Sequence, residues 1–338
     1  MLENRSLAPD DIRSVDDLSL LPLLDRDLAR ETVEARTSIA GPPAVVTKAT
    51  SDAAGPPLVV AYNAESRDWR DATRWRGYGW AGYRAGMRAL HYWRIPPEGG
   101  RWRARSRNAL ERLFGRDRHV DCIVRSEAAL AGTVHEIERF QPDAIVAYAG
   151  GAAALARFVL DHGLRTWGDI PVIVGAERLW PFERGQIHAA FGPAFETYGC
   201  REVTLIGAEC EAHDGMHTSM ENLIVELLVR DPDGTVRTAR PGEPGLVAVT
   251  DLHNLACPMI RYVTGDLAVA RREERCACRR ALTRIGPIDG RVAETRHAAA
   301  DDVARGLVSP VDEGARAPGV PLPGPEGEWS AGERLPGP

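Results

Sequence analysis

The sequence predicts an α/β protein in which a mainly parallel sheet flanked by helices leads into a β-rich subdomain. Between residues 120 and 200, short apolar runs alternate with amphipathic stretches in the order strand, helix, strand, helix, strand, helix, the pattern of a parallel sheet covered on its faces. After Glu202 the texture changes to strand-like runs punctuated by DPDG and RPGEPG turns. The chain has 338 residues, of which 44% are hydrophobic. That is enough for a sizeable core, and the length exceeds the usual single domain.

In chain order, residues 1–40 read as an N-terminal helical segment. Acidic residues precede an apolar stripe in DDLSLLPLLDRDLARETVEA, which Pro22 splits. Residues 41–202 read as the α/β subdomain. AVV and LVVAY are its first strands. The aromatic- and arginine-rich stretch from Trp69 to Trp93 reads as a helix whose rings form core and wall. VDCIV is a strand, SEAALAGTVHEIERF a helix and AIVAYAG a strand. AAALARFVLDHGL is a helix stopped at Gly163, PVIVGA a strand and WPFERGQIHAAFG a helix. Small ligands bind such sheets at the carboxyl ends of the strands, which draws attention to the Gly175-Ala176-Glu177 loop. Residues 203–295 read as the β-rich subdomain. Residues 296–338 are dominated by proline, glycine and charge, too little apolar surface to order themselves.

The net charge of -6 argues against general nucleic-acid binding. The basic run from Arg101 to Arg118 reads first as a solvated helix face and second as a patch for an anionic ligand tail. No run of about 18 apolar residues is present, and the acidic N-terminus is unlike a secretory signal, so a cytoplasmic protein is expected. Its six cysteines are then reduced thiols.

Three short runs carry the chemistry. Tyr198-Gly199-Cys200-Arg201-Glu202 sets an aromatic ring, a glycine and a carboxylate at a strand end. That combination suits a purine and a hard cation. Arg261-Tyr262-Val263-Thr264-Gly265-Asp266 ends in a carboxylate after a glycine turn, able to accept from both ribose hydroxyls. Ile288-Asp289-Gly290-Arg291 follows. Each alone is weak, and their order and spacing make the combined signal.

With these motifs, and with QPDAIVAYAG, VIVGAERL and NLACPMIRYVTGDLA between them, the chain resembles the phenylacetate–CoA ligase-like branch of the ANL adenylate-forming superfamily. It is most similar to the capsule-biosynthesis-type relatives, over about Leu20 to Pro310. The resemblance implies ATP-dependent conversion of an aryl or amino acid carboxylate to an acyl-adenylate, then transfer to coenzyme A or a carrier-protein thiol. It implies that Gly175, Ala176 and Glu177 line the adenine, and that Tyr198, beside Gly199, stacks on adenine or acyl group. It further implies that Glu202 contacts Mg²⁺, Asp266 the ribose, and Arg291 the ribose or the hinge. Tyr148, Gly150 and Gly151 are the acyl-pocket candidates, and the acid itself is not legible.

Two departures qualify the resemblance. The stretch matching the family's phosphate-binding loop keeps Thr50, Ser51 and Gly55, but Asp52 replaces a glycine and alanines replace hydroxyl residues, weakening the anion nest. The family's C-terminal lid carries a lysine, whereas Lys48 is the one lysine of this chain. The sequence therefore predicts that the lid is absent, with loss of a donor of the kind worth ~10²–10³ in rate. A catalytically reduced nucleotide- or acyl-binding protein, or a truncated gene product, is the alternative expectation.

Cys210 and His217, with Cys276 and Cys278, form a Cys₃His set suited to structural zinc. Free thiols on a surface hairpin are the competing reading. Cys122, Cys200 and Cys257 read as inert.

Overall fold

The computed structural model describes residues 7–38, 41–50, 58–95, 116–272 and 274–291. The expected tail and the question of a lid concern residues outside these. After two short 3₁₀ turns, Pro9–Asp11 and Asp16–Leu20, come α1 (Arg26–Glu31) and α2 (Val33–Arg36), then the antiparallel pair β1 (Val46–Ala49) and β2 (Val59–Tyr62). The α/β part follows: α3 (Ala64–Trp80), β3 (Ala89–Trp93), β4 (Asp117–Asp121), α4 (Glu127–Phe140), β5 (Ala144–Tyr148), α5 (Ala149–Asp161), β6 (Val172–Gly175), α6 (Pro181–Ala190) and β7 (Ala194–Cys200). The remainder is β8 (Thr204–Glu209), β9 (Met216–Thr218), β10 (Leu223–Arg230), β11 (Val236–Thr238), β12 (Pro244–Asp251), β13 (Tyr262–Ala270) and β14 (Arg284–Arg291).

Among the described residues, twelve strands form one sheet in the order β11-β10-β12-β13-β14-β9-β8-β7-β6-β5-β3-β4. The run β7-β6-β5-β3-β4 is wholly parallel, and every pairing from β7–β8 onward is antiparallel. The change of texture read after Glu202 thus coincides with the change from parallel to antiparallel pairing. The parallel half is buried on both faces. Ile145, Ala147, Val172 and Val174 pack with α4, α5 and α6 residues in one core cluster, while Ala144, Val146 and Ile173 face Ala81, Tyr83 and Phe195 in another. A third cluster fills the antiparallel half and includes Tyr198, Leu24 and Tyr262.

Three local expectations are corrected. Residues 11–36 are short turns and helices rather than one split helix. The Asp17 carboxylate takes the backbone N–H groups of Arg13 and Ser14, competing with helix bonds. Leu24 spends its backbone on β13: its N–H donates to the Arg261 carbonyl and its carbonyl accepts from Val263. The helix expected across 69–93 ends at Trp80, because Gly82 follows at φ 88°, and ALHYW is the central strand β3, held between β4 and β5. The strand placed at VDCIV lies earlier, at Asp117–Asp121.

Candidate functional site

The three sequence motifs converge where β7, β13 and β14 end or run side by side. Gly199 is demanded by packing, since a Cβ there would lie 2.2 Å from the Thr204 carbonyl oxygen. The strand reversal beyond it places Glu202 in the interior, 5% exposed. Its Oε1 accepts from the Tyr262 hydroxyl at 3.1 Å and from Arg26 Nη1 at 3.3 Å. Arg26 Nη2 in turn donates to Thr50 Oγ1 at 2.7 Å. Glu202, the start of the phosphate-loop stretch and the first residue of α1 are therefore one connected group.

Tyr198 is buried in the antiparallel core, and its hydroxyl donates to Asp266 Oδ2 at 2.9 Å with Thr264 Oγ1 at 3.1 Å. Burial raises the Tyr198 phenol far above its ordinary range, and the Asp266 charge adds to the effect. Burial, then Glu202, does the same to Tyr262. Both phenols therefore stay protonated as donors to carboxylates. Asp266 lies opposite Arg291 in the β13–β14 register, so the second and third motifs occupy adjacent strands. The Arg291 side chain, Ser51 and Gly55 lie outside the described residues.

The adenine-loop candidates stand at the end of the neighbouring parallel strand. Gly175 is the last residue of β6, and Ala176 turns through the left-handed region at φ 66°, a conformation of the kind held at ligand clamps. Glu177 Oε2 accepts from the Gly150 N–H at 2.8 Å, at the start of α5. Arg178 reaches Asp289 of the third motif at 3.0 Å, tying this loop to β14. Of the acyl-pocket candidates, Tyr148 lies against Trp93 with ring centroids 4.3 Å apart, and Gly151 sits beside Cys122 and Tyr92. The Tyr148 phenol is raised by burial, then by Cys122 and Glu177, with Arg201 and Arg94 opposing. The acyl candidates and the 175–177 loop are joined through the hydrogen bond between Gly150 and Glu177.

The cysteine–histidine set also comes together. Cys210 follows β8, His217 is in β9, and Cys276 and Cys278 lie on the β13–β14 connection. Their donor atoms all fall within 4.8 Å of one another. Cys210 and Cys276 sulfurs are 3.7 Å apart and His217 Nε2 is 3.2 Å from Cys278 Sγ. That sulfur separation is far longer than a disulfide and close to the edge of a tetrahedron with metal–sulfur bonds of about 2.3 Å. Burial pushes the Cys210 thiol up to about 12. Burial also opposes ionisation of Cys278, but hydrogen bonds from the Arg280 backbone and guanidinium prevail and lower it. The Trp80 ring packs edge-on to His217 at 5.4 Å.

Arg26, Tyr262 and Thr264 complete the site beyond the candidates that the sequence offers. Tyr262 and Thr264 lie inside the second motif, so the signal was present. Arg26 carries no local signal at all.

No protein-family model matches the chain. A phenylacetate–coenzyme A ligase from Thermus thermophilus is 34% identical over 123 residues, 35% of this chain and 27% of that protein. A solved structure of a 2-hydroxyisobutyryl-CoA ligase in an open conformation, with 2-HIB-AMP and CoA, superposes with a TM-score of 0.66 at 22% identity. The match covers 86% of this chain and 64% of that one. A structure of 2-hydroxyisobutyryl-CoA ligase in the postadenylation state, with R3-HIB-AMP, gives 0.66 and 22% over 86% and 62%. The chain therefore spans less than two thirds of these structures and about a quarter of the curated relative. The fold is that of these 2-hydroxyisobutyryl-CoA ligase structures. The relative found by sequence is a phenylacetate–CoA ligase, of the branch that the motifs resemble.

Proposed function

We propose that the chain is an acid–thiol ligase large domain that activates a carboxylic acid with ATP and passes the acyl group to coenzyme A or a carrier-protein thiol. The observation that carries this reading is the pairing of Tyr198 with Asp266, opposite the Arg291 register position, beside the pairing of Tyr262 with Glu202. Asp266 is the ribose acceptor, with its orientation held by the Tyr198 hydroxyl. Gly175, Ala176 and Glu177 border the adenine.

The substrate carboxylate oxygen attacks the α-phosphorus, the α–β phosphoanhydride P–O bond breaks, and pyrophosphate leaves. The thiol sulfur then attacks the acyl carbonyl, AMP leaves with the former carboxylate oxygen, and the thiol proton passes to solvent. Mg²⁺ supplies charge neutralisation at the phosphates when bound. Glu202 fits as its holder, being a buried carboxylate linked through Arg26 to the Thr50 hydroxyl. Trp93 and Tyr148 provide an apolar aromatic wall for the acyl part, which favours an aryl acid.

We further propose that Cys210, His217, Cys276 and Cys278 hold a structural zinc. The donor set and its spacing fit, and its role is to fasten the β13–β14 connection to β8 and β9.

The test is acid-dependent ATP–pyrophosphate exchange over a panel of aryl and amino acids, with Glu202→Gln and Asp266→Ala alongside. Exchange that both substitutions reduce by ~10²-fold or more is the expected result. ATP binding without exchange for any acid leaves the nucleotide-binding alternative, and no nucleotide binding overturns both.

A further inference from the structure

We infer that Cys278 is an oxidation site for peroxides, and that its oxidation, resolved by Cys210 as a disulfide, opens the four-residue donor set and releases its zinc, an inference that rests on the zinc reading above. The three sulfurs of the set are not equally reachable. Cys210 is 0% exposed and Cys276 3%, whereas Cys278 is half-buried. Of the other cysteines, Cys122 and Cys257 are buried. Burial first, and the Glu202 charge second, lift the Cys200 thiol well above its ordinary value. A peroxide arriving from solvent therefore meets Cys278 first. A zinc-held cysteine is already a thiolate, which is the nucleophilic form. The Arg280 guanidinium donates to the Cys278 sulfur and is itself fixed by an ion pair to the exposed Glu211 at 2.8 Å.

The local turn selects the resolving partner. The Arg279 N–H donates to the Cys276 carbonyl at 2.8 Å. Cys276 and Cys278 thus belong to one closed turn, and a bridge between them would span a single residue inside it. Cys210 follows β8, in another element, and its sulfur lies within 4.8 Å of Cys278 Sγ. Side-chain rotation has only to shorten that gap to the ~2.05 Å of a disulfide. In the first step the Cys278 thiolate attacks one peroxide oxygen: an S–O bond forms, the O–O bond breaks and hydroxide leaves. In the second, the Cys210 thiolate attacks the Cys278 sulfur: the S–S bond forms, the S–O bond breaks and a second hydroxide leaves. Two thiolates have lost two electrons and the peroxide has gained them. Cys276 and His217 remain, two donors where a closed zinc site needs four. The disulfide keeps the β13–β14 connection fastened to the end of β8, while His217 in β9 is set free.

The experiment titrates the purified full chain, its zinc content measured beforehand, with hydrogen peroxide. Zinc release is followed with a chromogenic chelator, and the cysteines are mapped by differential alkylation and mass spectrometry. Loss of about one zinc per chain, in step with a Cys210–Cys278 disulfide and reversed by dithiothreitol with added zinc, is the expected result. Cys210→Ser is expected to leave a Cys278 sulfenic acid that dimedone captures. That variant also lacks a zinc ligand, so the wild-type map decides. Zinc kept at peroxide doses that oxidise exposed methionine, or a bridge that omits Cys278 or Cys210, overturns the inference and leaves the zinc. A chain purified without zinc that still forms the bridge overturns the zinc and keeps the oxidation site. A chain with neither zinc nor bridge overturns both.

Discussion

Two tyrosines hold the two acids of the nucleotide site, and neither acid is left to bury its charge alone. Glu202 has Tyr262 and Arg26, and Asp266 has Tyr198. Tyr262→Phe removes one donor from a nearly inaccessible carboxylate, and a cost of about 1–3 kcal/mol in urea unfolding is expected. A different residue sets the pH response. Glu196, buried beside Glu209 with Arg184 opposing, is pushed up to about 7 by burial first and the Glu209 charge second. An acid whose folded pKa lies above its ordinary value of 4.5 holds its proton more tightly in the folded chain. Its contribution favours folding at pH 4.5 and below and is lost as pH rises toward 7. Glu196→Gln cannot ionise, so its melting temperature relative to wild type is expected to be higher at about pH 8 than at about pH 5. At this scale the motif acids are legible, because carboxylates within short motifs announce themselves by type and order. Arg26 is not, since in a chain with 42 basic residues a single arginine in an acidic stretch carries no local mark.

Among elements, the connection between β13 and β14 is the segment that needs outside help. It reaches β8 and β9 through Cys276 and Cys278 facing Cys210 and His217, and through Arg284 and Arg271 on Asp214. Purified protein is expected to contain about one zinc per chain. Cys276→Ser with Cys278→Ser should lose it, with a lowered melting temperature and protease cleavage concentrated in the 271–283 connection. A metal-free preparation of unchanged stability would reject the zinc. The spacing of the four residues was readable, but not their meeting, because 66 positions separate Cys210 from Cys276. Helix and strand alternation between 120 and 200 was readable because period and turn signals are local. The first helix and β3 were misread for the opposite reason: Leu24 is recruited by β13, and ALHYW by two parallel neighbours.

The whole molecule is organised by one sheet that passes from parallel to antiparallel pairing at β7–β8 without a break. The change in texture at Glu202 falls where the pairing changes from parallel to antiparallel, and the sheet is continuous there. One hydrogen-bonded layer shared by both halves is expected to unfold as a unit. Circular dichroism and tryptophan fluorescence should give coincident thermal transitions, whereas two separated transitions would mean that the halves fold independently. Legible along the chain are the alternation of strands and helices between 120 and 200, the family the motifs resemble, and which residue types are available for nucleotide and metal. Those depend on periodicity, turn chemistry and spacing, all local properties. Which of them meet is set by the fold: Arg26 with Glu202 across 176 positions, Tyr198 with Asp266 across 68. Such contacts are set by strand register and by the burial of Leu24 and Tyr262 in one core, and no window along the chain contains them.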